Sequence, residues 1–117
     1  MKYTIILMLK AKSTWWVMSK EYRQNMFKRD LFPLLSEYSN ELQFQVFNSE
    51  AFHSSVSDFI SIETQNLQAY YEFMQKLKAT RLFAGEYFEL QDLLMGAENG
   101  FKDFNTSLKQ TKGLILN

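Results

Sequence analysis

Tyr3-Thr4-Ile5-Ile6-Leu7-Met8-Leu9 opens the chain with apolar side chains on both of the faces that a strand presents. A strand with one wet face would alternate apolar and polar residues. The stretch therefore predicts a strand buried twice, by helices on one side and by a second cover on the other. Later candidate strands, at 42–47, 58–64 and 88–95, must find places around it.

Moving outward, residues 11–16 are too short for an independent element and oddly aromatic for a surface loop, with Trp15 and Trp16 adjacent. Ser19 then offers a helix N-cap. Tyr22, Met26, Phe27, Leu31, Leu34, Leu35 and Tyr38 recur at three- and four-residue steps, which predicts a helix over 19–38 with one buried face. Pro33 lies inside that pattern and predicts a kink or break near 29–32, because it lacks an amide hydrogen and crowds the preceding turn.

Leu42, Phe44 and Val46 alternate with glutamines, and a long polar loop separates this strand from the next at residue 58. Asn66 caps a second helix that runs to residue 80, with Leu67, Tyr70, Tyr71, Met74 and Leu77 on its apolar side. Residues 81–85 read as a connecting turn and 87–95 as the last strand. Residues 96–100 carry turn chemistry, since Asn-Gly tolerates positive φ cheaply. Phe101 and Phe104 are expected to pin the chain after it. No repeat or linker is visible, so residues 1–104 are expected to form one domain and 105–117 a C-terminal extension ending in Leu114-Ile115-Leu116.

The order β-α-β-β-α-β predicts an α+β, ferredoxin-like fold with a four-stranded antiparallel sheet. Right-handed crossovers place both helices on one sheet face. The other face would expose too much apolar surface for a monomer, and pairing of two sheets in a homodimer is its simplest cover.

Composition narrows the partners. Thirteen basic and thirteen acidic side chains cancel, which predicts neither a nucleic-acid partner nor binding to an anionic membrane. Without cysteine there are no disulfides, thiolate metal sites or cysteine nucleophile. Met1-Lys2 and the apolar run resemble a short signal peptide, but Lys10 and Lys12 break the apolar character directly after the run, and no small-residue cleavage site is placed for it. A cytoplasmic location is expected.

Candidate chemistry is sparse. His53 is the only histidine, so no histidine-based metal cluster exists; it reads chiefly as a loop residue, with a general base or haem ligand as the sharper alternatives. Glu50 and Asp58 border the same loop and could form paired carboxylates at a cleft mouth, or simply cap turn and strand ends. Glu89 becomes a site candidate only if it faces an enclosed interior. The aromatic excess, eleven Phe, six Tyr and two Trp, points instead to an apolar pocket. Its expected lining is Tyr3, Trp15, Trp16, Phe44, Phe59 and Tyr71, between helices and sheet or inside a dimeric barrel. No phosphate loop, nucleophile elbow, zinc motif or EF-hand is present, and no metal or cofactor is expected.

The ordered pieces Met1-Lys2-Tyr3-Thr4, Asn48-Ser49-Glu50-Ala51-Phe52, Ala69-Tyr70-Tyr71, Thr80-Arg81-Leu82-Phe83 and Gly96-Ala97-Glu98-Asn99-Gly100-Phe101 are similar to those of the darcynin family, a domain of unknown function. The resemblance covers about residues 1–104. It implies the dimeric α+β barrel group, whose members include cofactor-free oxygenases, small-ring isomerases and haem-dependent chlorite dismutases. It implies no catalytic residues, and fold alone cannot select a reaction. The expectation is a homodimeric protein that binds a small apolar or aromatic molecule, with cofactor-free catalysis as its enzymatic form. The alternative is a structural or protein-interaction module without catalysis.

Overall fold

The computed structural model describes residues 1–98. Along them run β1 (Tyr3–Ala11), α1 (Ser13–Trp16), α2 (Lys20–Met26), a π-helical turn (Phe27–Leu31), α3 (Phe32–Glu37), β2 (Leu42–Asn48), β3 (Asp58–Thr64), α4 (Leu67–Ala79), α5 (Arg81–Ala84) and β4 (Phe88–Ala97). The four strands form one antiparallel sheet in the order β2-β3-β1-β4. This is the ferredoxin-like α+β arrangement expected from the sequence, with the doubly apolar strand inside the sheet.

The two faces of β1 meet different surroundings. Ile5 and Leu7 are fully buried, and Leu9 and Ala11 nearly so. They join one core with Ile60 and Ile62 of β3 and with Tyr70, Phe73 and Leu77 of α4. On the opposite face, Ile6 and Met8 are only half-buried. The register sets Met8 beside Phe59, which in turn pairs with Phe47; Ile6 lies between Ser61 and Leu94. The rings of Phe47 and Phe59 stack 4.6 Å apart. No element among the described residues covers this face.

Ser19 caps α2 by accepting a hydrogen bond from the Tyr22 amide at 3.2 Å. The expected break takes the form of the π-helical turn, closed by the Phe32 amide donating to the Phe27 carbonyl. Pro33 comes at the start of α3, where its missing amide hydrogen costs little. The wider turn adds a residue to the helical repeat, so the buried positions run Met26, Leu31, Leu34, Tyr38 with a five-residue first step.

Several sequence expectations need correction. Residues 13–16 do form a helix, because α1 is anchored by the Lys12 amide to the Tyr87 carbonyl and by the Thr14 hydroxyl to the Glu86 carbonyl. Arg81–Ala84 is likewise a short helix that buries Leu82. Tyr22 and Tyr71 are exposed, at 64% and 61%. In α4 the inward face runs through Ala69, Tyr70, Phe73, Met74 and Leu77, one position round from Tyr71. Gly96 and Ala97, expected in a turn, extend β4 against Thr4 and Tyr3. The Asn99-Gly100 turn, Phe101, Phe104, the boundary at residue 104 and the Leu114-Ile115-Leu116 tail lie outside the described residues. Among those described, no helix is long and apolar enough to cross a membrane.

Candidate functional site

The end of the sheet where β1 leaves for α1 and where β2 turns into β3 gathers aromatic, cationic and acidic side chains. The long loop there is tied down from within. Ser49 donates its amide to the Ser57 carbonyl and its hydroxyl to the Val56 carbonyl. The buried Ser57 hydroxyl accepts from the Ala11 amide at 2.8 Å, which joins the loop to the end of β1. His53 Nδ1 accepts from the amides of Ser55 and Val56 at 3.0 and 2.9 Å. These bonds engage Nδ1 as an acceptor and make His53 a staple of the loop.

Facing this loop across a cleft of about 230 Å3 are α1, α2 and the beginning of the π-helical turn. Trp15, Trp16, Lys20, Arg23 and Phe27 form one wall; Asn48, Glu50 and Asp58 form the other. A smaller hollow of about 160 Å3, bordered by Lys10, His53 and Ser55, meets the cleft at Trp16 and Glu50. Beneath lies an apolar cavity of about 30 Å3 between helices and sheet, which shares Phe27 and Asp58 with the cleft wall. Trp15 is buried, its ring 4.7 Å from Phe88 and 5.0 Å from Phe27, and makes the rigid back of the site. Trp16 is exposed at the mouth, with the Arg23 guanidinium 5.4 Å above its ring.

Asp58 is the titratable group that this geometry perturbs. Burial pushes its carboxyl above the ordinary range, and the negative charge of Glu50 adds to that. Hydrogen bonding opposes the shift, including the Asn48 side-chain amide that donates at 3.3 Å. A carboxyl held this way keeps its proton more tightly than a free one.

The fold therefore gathers Trp15, Trp16, Glu50 and Asp58 at one cleft, with His53 beside it. The remaining residues expected to line a pocket lie elsewhere. Tyr3 packs at the core edge of β1, and Phe44 lies against Phe73 at 4.9 Å. Phe59 is on the helix-free face, and Tyr71 is on the outside of α4. Glu89 pairs in register with Lys10 at an end of that helix-free face and is exposed. Sequence reasoning missed Lys20, Arg23 and Asn48. The signal for the first two was present, since Lys20, Arg23 and Phe27 are spaced at three- and four-residue steps beside the buried stripe. A wider groove of about 520 Å3 lies at the opposite end of the sheet, but its cation Lys2 is already paired with Glu63 at 3.3 Å.

The darcynin family profile, a domain of unknown function, matches residues 2–110. The chain belongs to the darcynin family. A darcynin from Chromobacterium violaceum is 32% identical over 78 residues, covering 67% of this chain and 98% of its own. Among solved structures, chlorite dismutase from Candidatus Nitrospira defluvii in complex with imidazole superposes with a TM-score of 0.71 at 16% identity. That match covers 81% of this chain and 39% of the dismutase. A haem-binding protein from Thermus thermophilus gives a TM-score of 0.73 at 11% identity, over 87% of this chain and 43% of its own. The chain thus spans less than half the length of either solved protein, and at these identities the likeness establishes the fold.

Haem does not fit the cavity between helices and sheet. The cavity between helices and sheet admits about one water, and a site for a molecule of drug size or larger occupies ~300–1,000 Å3. None of its lining side chains is a His, Cys, Met or Tyr, the donors that haem iron takes. His53 sits on the surface loop with Nδ1 already engaged.

Proposed function

We propose that this darcynin is a homodimeric small-molecule-binding protein whose ligand occupies the cleft between Trp16 and the β2–β3 loop. The supporting observation is convergence. Two tryptophans, a guanidinium, an amide and a perturbed carboxyl border one opening that shares Phe27 and Asp58 with an apolar cavity. Small-molecule sites combine an apolar wall with a few placed polar groups in this way. The enzymatic form of the proposal is cofactor-free proton transfer, with Asp58 as the group that takes or gives the proton.

Native mass spectrometry of the purified protein, with and without a metabolite extract, tests the proposal. A small molecule retained at one per subunit, and lost on Trp16→Ala, is the expected result. Subunits that stay empty in every extract would remove the proposal.

The second functional candidate is a homodimeric interaction module without catalysis. It is favoured by the helix-free face, where Phe47, Leu94 and the half-buried Ile6, Met8 and Phe59 form an apolar centre. Gln43, Gln45, Glu63 and Asp92 surround that centre in the sheet register, an apolar core with a polar rim. Repeated capture of a protein partner by subunits empty of ligand would favour it.

A further inference from the structure

We propose that His53 is a pH-sensitive latch, and that protonation of its ring releases the outer turn of the β2–β3 loop, with Glu50, from the mouth of the cleft. The latch works through hydrogen-bond direction at one nitrogen, whether or not a small molecule binds the cleft. Backbone amides only donate, so the bonds from Ser55 and Val56, at 3.0 and 2.9 Å, both need the lone pair of Nδ1. An imidazolium carries a proton on that nitrogen and has no lone pair to offer. The Ser55 hydroxyl, 3.4 Å from Nδ1, can accept from the new N–H, but neither amide can. Donor then faces donor, and the ring has to leave the amides. His53 is exposed, so protons reach it from solvent, whereas Val56 is buried and loses the partner of its N–H.

The other bonds of the loop set how far the release travels. Its base is fastened to β1: the Ser57 amide and hydroxyl donate to the Leu9 carbonyl, and the Ser57 hydroxyl accepts from the Ala11 amide. Ser49 joins that base through the carbonyls of Ser57 and Val56. None of these groups titrates between about pH 5 and 8, the range in which histidine changes charge. The Ser49 carbonyl also accepts from the Phe52 and His53 amides, which makes residues 49–53 a single turn. His53 ties the far end of this turn back to Val56 at the base. Without that tie the turn hangs from Ser49 and is free to swing. It carries Glu50, which stands on the cleft wall opposite Lys20 and Arg23. The hollow beside His53 is bordered by Lys10 from β1, Trp16 from α1 and Glu50 from the turn, so the charged groups facing the ring are one of each sign. Acid therefore loosens one wall of the cleft while the sheet and the base of the loop stay in place.

Nuclear magnetic resonance of the full chain from pH 8 to pH 5 tests the latch. The amide signals of Glu50, Ser55 and Val56 should shift along the titration curve of the His53 ring. Protection of the Val56 amide, taken relative to the intrinsic exchange rate at each pH, should fall about tenfold, and that of Ala11 and Ser57 should hold. His53→Asn offers a side-chain oxygen to the same amides and takes up no proton, so it should keep Val56 protected throughout. His53→Ala should leave Val56 unprotected at every pH. A Val56 amide that keeps its protection, or a Glu50 amide that stays still, while the His53 ring titrates would overturn the latch. So would a pH dependence that survives in His53→Asn, which would assign the change to Glu50 or Asp58. If either variant fails to fold, the pH series on the unaltered protein decides alone.

Discussion

Asp58 has its ionisation opposed by the fold, and this fixes the sign of a pH effect. Its carboxyl lies above the ordinary value of 3.8, with burial the largest cause. The folded chain therefore holds that proton more tightly than the unfolded chain does. The contribution of Asp58 to stability is complete below about 3.8 and is lost as pH rises through the raised value. Asp58→Asn, which cannot ionise, should be more stable relative to the unaltered protein at pH 7 than at pH 4, as read by urea unfolding at both. A difference that stays constant, or grows toward acid, would show that the carboxylate is not disfavoured. Residue type and position at the long loop pointed to Glu50, His53 and Asp58, with Glu89 a candidate only if enclosed. Neither separated their roles. Only the two amides donated to Nδ1 identify His53 as a loop staple, and only the desolvation of Asp58 distinguishes it from Glu50.

Among the elements, the period of the apolar residues located both long helices, and Ser19 and Asn66 cap their starts as their side chains suggested. What periodicity could not show is the phase. The π-helical turn shifts the repeat by one residue between Met26 and Leu31, and a one-position rotation of α4 puts Phe73 in the core and Tyr71 in solvent. The short helices were hidden for a different reason: α1 and α5 are held by hydrogen bonds to partners far away or within one turn. The end of α5 is sterically tight. A Cβ at Gly85 would fall 2.3 Å from the Arg81 carbonyl oxygen, which is backbone and cannot swing away. Gly85→Ala should cost ~1–3 kcal/mol, seen as a lower urea midpoint with an unchanged slope. A midpoint equal to that of the parent would mean that the chain yields there at no cost.

Taken whole, the molecule presents two unlike sheet faces; Tyr3 to Leu9 showed that both would be apolar, and the β-α-β-β-α-β order that the helices would share one. The helix-free face carries Ile6, Met8, Phe47, Phe59 and Leu94 together, a patch that a lone subunit has reason to cover. Met8→Glu would set a charge at its centre and should convert the proposed dimer to a monomer by light scattering coupled to size exclusion, with helix content unchanged. A parent protein that is already monomeric at micromolar concentration would remove the dimer. The sheet order has a consequence for how the chain reaches this state. β1 is made first, yet its neighbours are residues 58–64 and 88–97, so its hydrogen-bonding edges stay open until most of the domain has been synthesised. Pairing across such sequence distances is slow, because loop closure must precede any reward. While the domain is being made, β1 is therefore an unpaired, doubly apolar strand until β3 and β4 follow, the kind of segment that chaperones engage and that aggregates when they do not.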